Sequence, residues 1–477
     1  MKPMVFCRIL CDNKSIERMI SLENTNNNME AVYDVKTLGT TRTLILGLQH
    51  LFAMFGATVL VPVITGLNVS TTLLFAGLGT LLFHLVTGRK VPAFLGSSFA
   101  FLGGYAAIAP LIDDVTPNLQ MLPYACAGVA VAGLVYMVLA GLFKVFGAAK
   151  VMRFFPPIVT GPIIICIGLS LAGSAINNCR TNWLIALVAI AVVVFCNIWG
   201  KGMIKIVPIL LGVVGSYVFA LIVDPACRAN VVATVAAADW FGIPVIWDNT
   251  VFSIFGEGFD GGLLLTSVVT IVPIALAAMV EHIGDVCAIS STVGKNFVAD
   301  PGLHRTLIGD GLATTVASLF GAPANTTYGE NTGVLALSKV YDPKVVRLAA
   351  VFAIVLAFCP KFAALIVAMP AATMGGVSLV LYGMISAVGV RNVVENQVDF
   401  TKSRNVLIAA MILGLAVGVS YNGAIVISLG AVSISMSGLA VAALVGIFMN
   451  AVLPGKDYEF GVNEQGDTSV NFGSRVK

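Results

Sequence analysis

Glu281 and Asp285 stand in Val280-Glu281-His282-Ile283-Gly284-Asp285, late in a long apolar run. Their i, i+4 spacing puts both carboxylates on one face of a helix. An ionised acid at mid-membrane costs roughly 2.5–3.5 kcal/mol on insertion scales, so such residues are rare and usually functional. A third acid, Glu330, follows a glycine break in Pro323-Ala324-Asn325-Thr326-Thr327-Tyr328-Gly329-Glu330-Asn331, with apolar sequence close on both sides. A half-helix starting there aims unpaired N–H groups into the protein, with the Asn331 amide beside them. A matching break is Phe94-Leu95-Gly96-Ser97-Ser98-Phe99-Ala100-Phe101. There Phe99 is placed to stack on a flat ligand, and the Ser97 and Ser98 hydroxyls to tie off free backbone groups.

Each residue also has a plainer role. The acids at 281 and 285 are solvated if their span ends early, Glu330 is a helix cap, and Phe99 is ordinary packing. Taken together, carboxylates accept hydrogen bonds, backbone N–H groups donate them and an aromatic ring stacks. That inventory suits a lactam or imide heterocycle, whereas an anion would meet two or three acids. Gln49-His50 reads as a polar pair that hydrogen-bonds a neighbouring helix, Asp310 as interfacial, and Lys361 as a side chain snorkelling outward. Four histidines (His50, His84, His282, His304), no His-Glu-x-x-His and no nucleophile elbow argue against an embedded enzyme.

The elements that must hold these residues are membrane helices. Charged residues are 11% of 477 and hydrophobic ones 58%, so most of the chain cannot face water. Apolar runs of spanning length fall near 43–66, 69–87, 93–110, 121–143, 154–173, 183–199 and 204–223. A second set falls near 262–288, 305–319, 323–338, 347–368, 370–390, 404–419 and 436–453. With the N-terminus inside, fifteen loop Lys and Arg residues are internal and three external, which satisfies the positive-inside rule. Both termini are then cytoplasmic. Seven spans per half make the second half enter in the opposite sense, an inverted repeat whose broken third and tenth segments face each other. The expected organisation is a tail (1–42), a first repeat (43–223), an external connector (224–261), a second repeat (262–453) and a cytoplasmic tail (454–477).

Residues 1–40 lack the apolar core of a signal peptide, and Asn24 to Asn28 reads as disordered. A start at Met29 would lose no assigned feature. Nine cysteines show no metal-type pairing. Cys7 and Cys11 lie in the tail. Cys179 and Cys227 fall outside, where one disulfide can form. The net charge of +3 does not distinguish partners.

These motifs resemble the nucleobase–ascorbate (nucleobase:cation symporter-2) transporters, and most closely the bacterial uracil permeases, from about Thr43 to Leu453. Gln49-His50-Leu51-Phe52-Ala53-Met54-Phe55-Gly56-Ala57-Thr58-Val59-Leu60-Val61-Pro62 and Asn325-Thr326-Thr327-Tyr328-Gly329-Glu330-Asn331 are similar to the uracil branch. The family signature reads here as Glu330-Asn331-Thr332-Gly333-Val334-Leu335-Ala336-Leu337-Ser338-Lys339, with Ser338 in place of threonine. The resemblance implies an all-α polytopic protein of fourteen segments, core (spans 1–4 and 8–11) and gate (5–7 and 12–14) domains, and short β-strands in the broken segments.

It further implies proton-coupled uptake of uracil across the cytoplasmic membrane, a homodimer, no cofactor beyond the proton gradient, and no nucleic-acid partner. Glu281 and Glu330 would hydrogen-bond the nucleobase, Phe99 and Tyr328 pack around its ring, and the Gly329 backbone meet a carbonyl. Ser98, Tyr382, Asn331, His50 and Gln49 would support the site. Asp285 stands where uracil-type members often have histidine and purine-type members aspartate. It is the expected proton-coupling group, with Glu281 beside it. A xanthine- or urate-type symporter and an anion exchanger of the same seven-plus-seven plan remain the alternatives.

Overall fold

The computed structural model describes residues 31–112, 116–147, 151, 153–256, 259–423, 425–429 and 432–456. Expectations for Cys7, Cys11, Asn24 to Asn28 and most of 454–477 lie outside them. The first half runs α1 (Thr40–Thr65), α2 (Val69–Val86), β1 (Leu95–Ser97), α3 (Leu102–Ile108), α4 (Leu122–Phe146), α5 (Pro157–Arg180), α6 (Trp183–Trp199), α7 (Pro208–Val223) and α8 (Pro225–Ala237). The second runs α9 (Gly261–Val293), α10 (Leu303–Leu319), β2 (Asn325–Thr327), α11 (Gly329–Ser338), α12 (Pro343–Ala357), α13 (Pro360–Val367), α14 (Ala371–Glu395), α15 (Ser403–Asn422), β3 (Ile425–Leu429), β4 (Val432–Met436) and α16 (Gly438–Val452). Among the described residues, seven helices are long and apolar enough to cross a membrane, and two bent pairs raise this to nine. α6 and α16 are shorter apolar helices.

Three expected elements take different forms. The run 347–368 is broken into α12 and α13, bent by 86° at Cys359-Pro360, because proline cannot continue the hydrogen-bond ladder. The connector contains α8, turned 111° from α7 at Asp224-Pro225, with the Asp224 side chain capping its first N–H groups. Between α15 and α16 the chain forms a β3–β4 hairpin that the apolar pattern does not disclose. Cys179 and Cys227 border one small apolar cluster, and both are free thiols where a disulfide was thought open to form.

Helices sort into two packed groups. α1, α2, α4, α9, α10 and α12 pack on one another and enclose the β1–β2 crossing. α5 packs most extensively on α14, which also meets α6, while α15 packs on α16 and α5. Close approach of α5 and α14 needs Gly168: a Cβ there would strike the Tyr382 carbonyl oxygen and the Ser386 hydroxyl.

The crossing is an antiparallel pair of three residues per strand, Leu95↔Thr327, Gly96↔Thr326 and Ser97↔Asn325. Bonds from Tyr328 N to Phe94 O (3.0 Å) and Ser98 N to Ala324 O (2.8 Å) extend it. Two short strands leave open edges, which membrane interiors do not tolerate. Side chains close them in matching fashion. Thr80 on α2 accepts from Leu95 N (2.9 Å) and donates to Leu95 O (3.2 Å). Thr314 on α10 donates to Asn325 O (2.6 Å). The Asn325 amide reaches Phe75 O on α2 (2.7 Å).

Residues preceding α1 are docked as well. Val32 exchanges backbone bonds with the stretch after α11, Val32 N to Lys339 O (2.9 Å) and Tyr341 N to Val32 O (2.8 Å). The Tyr33 hydroxyl donates to Val293 O (2.8 Å), and Lys295 lies over the Tyr33 ring at 4.7 Å. Val35 N donates to Asp342, and Lys344 pairs with both Asp34 and Asp342 at 3.3 Å.

Candidate functional site

The carboxylates occupy the protein interior, not a helix end. α9 continues to Val293, two turns beyond Asp285, and its Pro273 lies well before the acids. On this stretch His282 and Ile283 are buried, Glu281 is exposed and Asp285 half-buried. Glu281 lies within electrostatic reach of Glu330 and Asp310, from α11 and α10. The exposed face of α9 therefore looks toward the start of α11, with Glu281 and Glu330 near each other and Asp310 buried behind them.

Glu330 is half-buried in the first turn of α11, where its carboxylate bonds its own backbone N–H. No side chain caps the helix, since Tyr328 occupies the N-cap position. First-turn N–H groups have no intrahelical partner and carry the positive end of the helix dipole. Gly329 is exposed, and a Cβ on it would sit 3.4 Å from Asp285 Oδ1. That is how near the α11 start stands to the acidic face of α9.

Tyr328 braces the crossing. Its hydroxyl donates to Ser97 O (2.8 Å) and accepts from Thr58 (3.3 Å). The ring rests on Gly96, where a Cβ would come within 2.6 Å of Thr58 Oγ1 and Tyr328 Cζ. At 4% exposure Tyr328 shows little surface. Phe99 is half-buried and packs against both large hydrophobic clusters, at the seam between them.

The supporting residues divide. Asn331 donates to His50 O (3.0 Å) and lies 3.1 Å from His50 Nδ1, so the pair ties α11 to α1. Gln49 is half-buried and adds no bond to that pair. The Ser97 hydroxyl donates to Thr58 O (3.0 Å), as expected, while the Ser98 hydroxyl is buried without a partner. Tyr382 is buried in α14 beside Ser378 and Ser174, away from any hydrogen bond to the acids.

Asp310 corrects the sequence reading: it is 0% exposed and not interfacial. It lies 3.5 Å from His282 Nδ1 and accepts from Thr326 (3.5 Å). His282 was counted in the sequence but given no role, because period and hydropathy carry no information about which buried polar groups meet. Lys361 does not extend freely outward. Its ammonium donates to Val235 O (2.8 Å) and lies over Trp240 at 5.3 Å. No cluster of metal-ligating side chains occurs among the described residues.

Residues 41–425 match the Permease family. A uracil permease of Bacillus caldolyticus is 40% identical over 442 residues, 89% of this chain and 94% of that protein. The uracil permease of Escherichia coli K12 is 38% identical over 425 residues, 86% and 91% of the two chains. Among solved structures, the transmembrane domain of the cyanobacterial bicarbonate transporter BicA aligns with a TM-score of 0.53 at 14% identity, covering 86% of this chain and 96% of that one. SLC26A9 aligns with a TM-score of 0.57 at 13% identity, covering 88% and 66%. These structural likenesses extend to the fold alone.

Proposed function

The chain belongs to the Permease family, and we propose that it is a secondary transporter taking up uracil with protons across the cytoplasmic membrane. The observation that carries this reading is the meeting of Glu281, Asp285 and Glu330 with the uncapped start of α11 at the β1–β2 crossing. Uracil presents two N–H donors and two carbonyl acceptors on a flat ring. Glu281 and Glu330 accept from its N–H edge, the Gly329 end of α11 donates to a carbonyl, and Phe99 covers a ring face.

Burial disfavours charge, and neighbouring like charges disfavour it further. Protonation of Asp285 from outside reduces three adjacent negative charges to two and makes room for the ring. The α1–α4/α9–α12 group then moves against the α5–α7/α14–α16 group, and the proton leaves inward. Fourteen crossings follow when the two bent pairs, α6, α16, α10 and the two broken segments are each counted as spans. The matching closure of β1 by α2 and β2 by α10 supports an inverted repeat. Cytoplasmic termini, a homodimer and the absence of any cofactor complete the reading.

Uptake of radiolabelled uracil into proteoliposomes with an imposed inward proton gradient tests it. Accumulation that collapses with a protonophore and yields to unlabelled uracil, but not to bicarbonate, is expected. Accumulation of xanthine without uracil would redirect the substrate to purines. Neither one accumulating would end the proposal.

A further inference from the structure

Behind the carboxylates lies a chain of polar groups that the transport reading leaves unused. Thr327 Oγ1 donates to Asp285 Oδ2 at 3.0 Å. The same oxygen lies 3.3 Å from His282 Nδ1, which lies 3.5 Å from Asp310 Oδ1. His282 and Asp310 are 0% exposed and Thr327 2%. A hydroxyl has a single proton. With that proton given to Asp285, the bond to His282 must run the other way, with Nδ1–H as donor. Asp310 Oδ1, buried without a hydrogen-bond partner of its own, faces the same ring edge, so a proton on Nδ1 has a second acceptor beside it. His282 Nε2 is buried without a partner, as a bare ring nitrogen in that tautomer would be.

We infer that His282 and Asp310 are positioning residues that turn the Thr327 hydroxyl proton toward Asp285, so that β2 grips α9 firmly only while Asp285 is ionised. A hydrogen bond to a carboxylate is roughly twice as strong as one between neutral groups. One proton arriving on Asp285 therefore weakens the grip. Thr327 directly precedes Tyr328-Gly329-Glu330, so the change is felt at the start of α11.

Asp285 is faced by Glu281 on its own helix, Asp310 on α10 and Glu330 on α11. Cys287 is close on α9, and Tyr136 on α4 faces Glu281 and Asp310. The adjoining α3 and α16 carry no residue that is charged at neutral pH. The inference rests on the transport reading only in taking Asp285 as the group that titrates during transport.

Infrared difference spectroscopy of the lipid-embedded protein across pH tests it without any substrate. The protonated Asp285 carboxyl band is identified by its loss in Asp285→Asn. Thr327→Val should move the midpoint of that band to higher pH by about one unit. Thr327→Ser should leave it where it is in the unaltered protein. Equal midpoints in Thr327→Val and the unaltered chain would overturn the inference. Should Thr327→Val not fold, ¹⁵N ring shifts of His282 in the unaltered protein decide, with assignment by His282→Gln. A proton on Nδ1 at neutral pH supports the inference, and a bare Nδ1 refutes it. Failure to transport uracil would refute the functional proposal and leave these two readouts standing.

Discussion

Glu330 and Glu281 differ in how replaceable their charges are. Glu330 closes its own N–H at the start of α11, and a neutral amide can still make that bond. A charge-assisted hydrogen bond to substrate is worth about 1.5–3 kcal/mol, so Glu330→Gln should weaken uracil binding by roughly ten- to a hundredfold. Calorimetric titration against uracil measures this, and an unchanged affinity would remove Glu330 from the site. The acids were legible because charge within an apolar run is costly. Asp310 and His282 were not, since a residue near a short span reads equally as buried or interfacial until its partners on other elements are known. The role of Tyr328 was hidden similarly, because its bond to Ser97 O joins residues 231 positions apart.

At the scale of elements, the glycine breaks in the third and tenth segments marked where helices stop. The bend at Pro360 was lost within a run whose hydropathy looked continuous, while α8 and the β3–β4 hairpin fall in stretches between runs that hydropathy reads as plain connections. The docked residues before α1 were also unreadable, because short polar segments bind through backbone and charge pairs rather than a periodic face. Their attachment has a defined pH range. The Asp34 carboxyl is held below the usual carboxylate range, first by Lys36 N–H and then by Lys344, and Lys344 is raised by Asp34 and Asp342. A lowered acid contributes above its unfolded value and is lost as pH falls through the folded one. A raised lysine contributes below its unfolded value and is lost as pH rises through the folded one. Hydrogen exchange of residues 31–38 should therefore be flat in protection from about pH 5 to 9. Tyr33→Ala should deprotect the same residues throughout that range by removing the Val293 bond and the Lys295 contact.

For the whole molecule, the three-residue ribbon adds a shared backbone closure to halves whose helices already interlock, α5 on α14 and α4 on α9 and α10. Leu95, Gly96 and Ser97 find their ladder partners only in residues 325–327, and the reverse holds equally. Unmatched peptide groups in hydrocarbon cost several kcal/mol each, so neither stretch can settle in a bilayer alone. Cutting the gene between the exposed Trp240 and Phe241 and producing both fragments together should restore uptake. Either fragment by itself should be degraded, as pulse-chase labelling would reveal. Each strand thus carries peptide groups that only the other half can satisfy, so the ribbon works as a mutual licence for two broken segments to stay inside a bilayer.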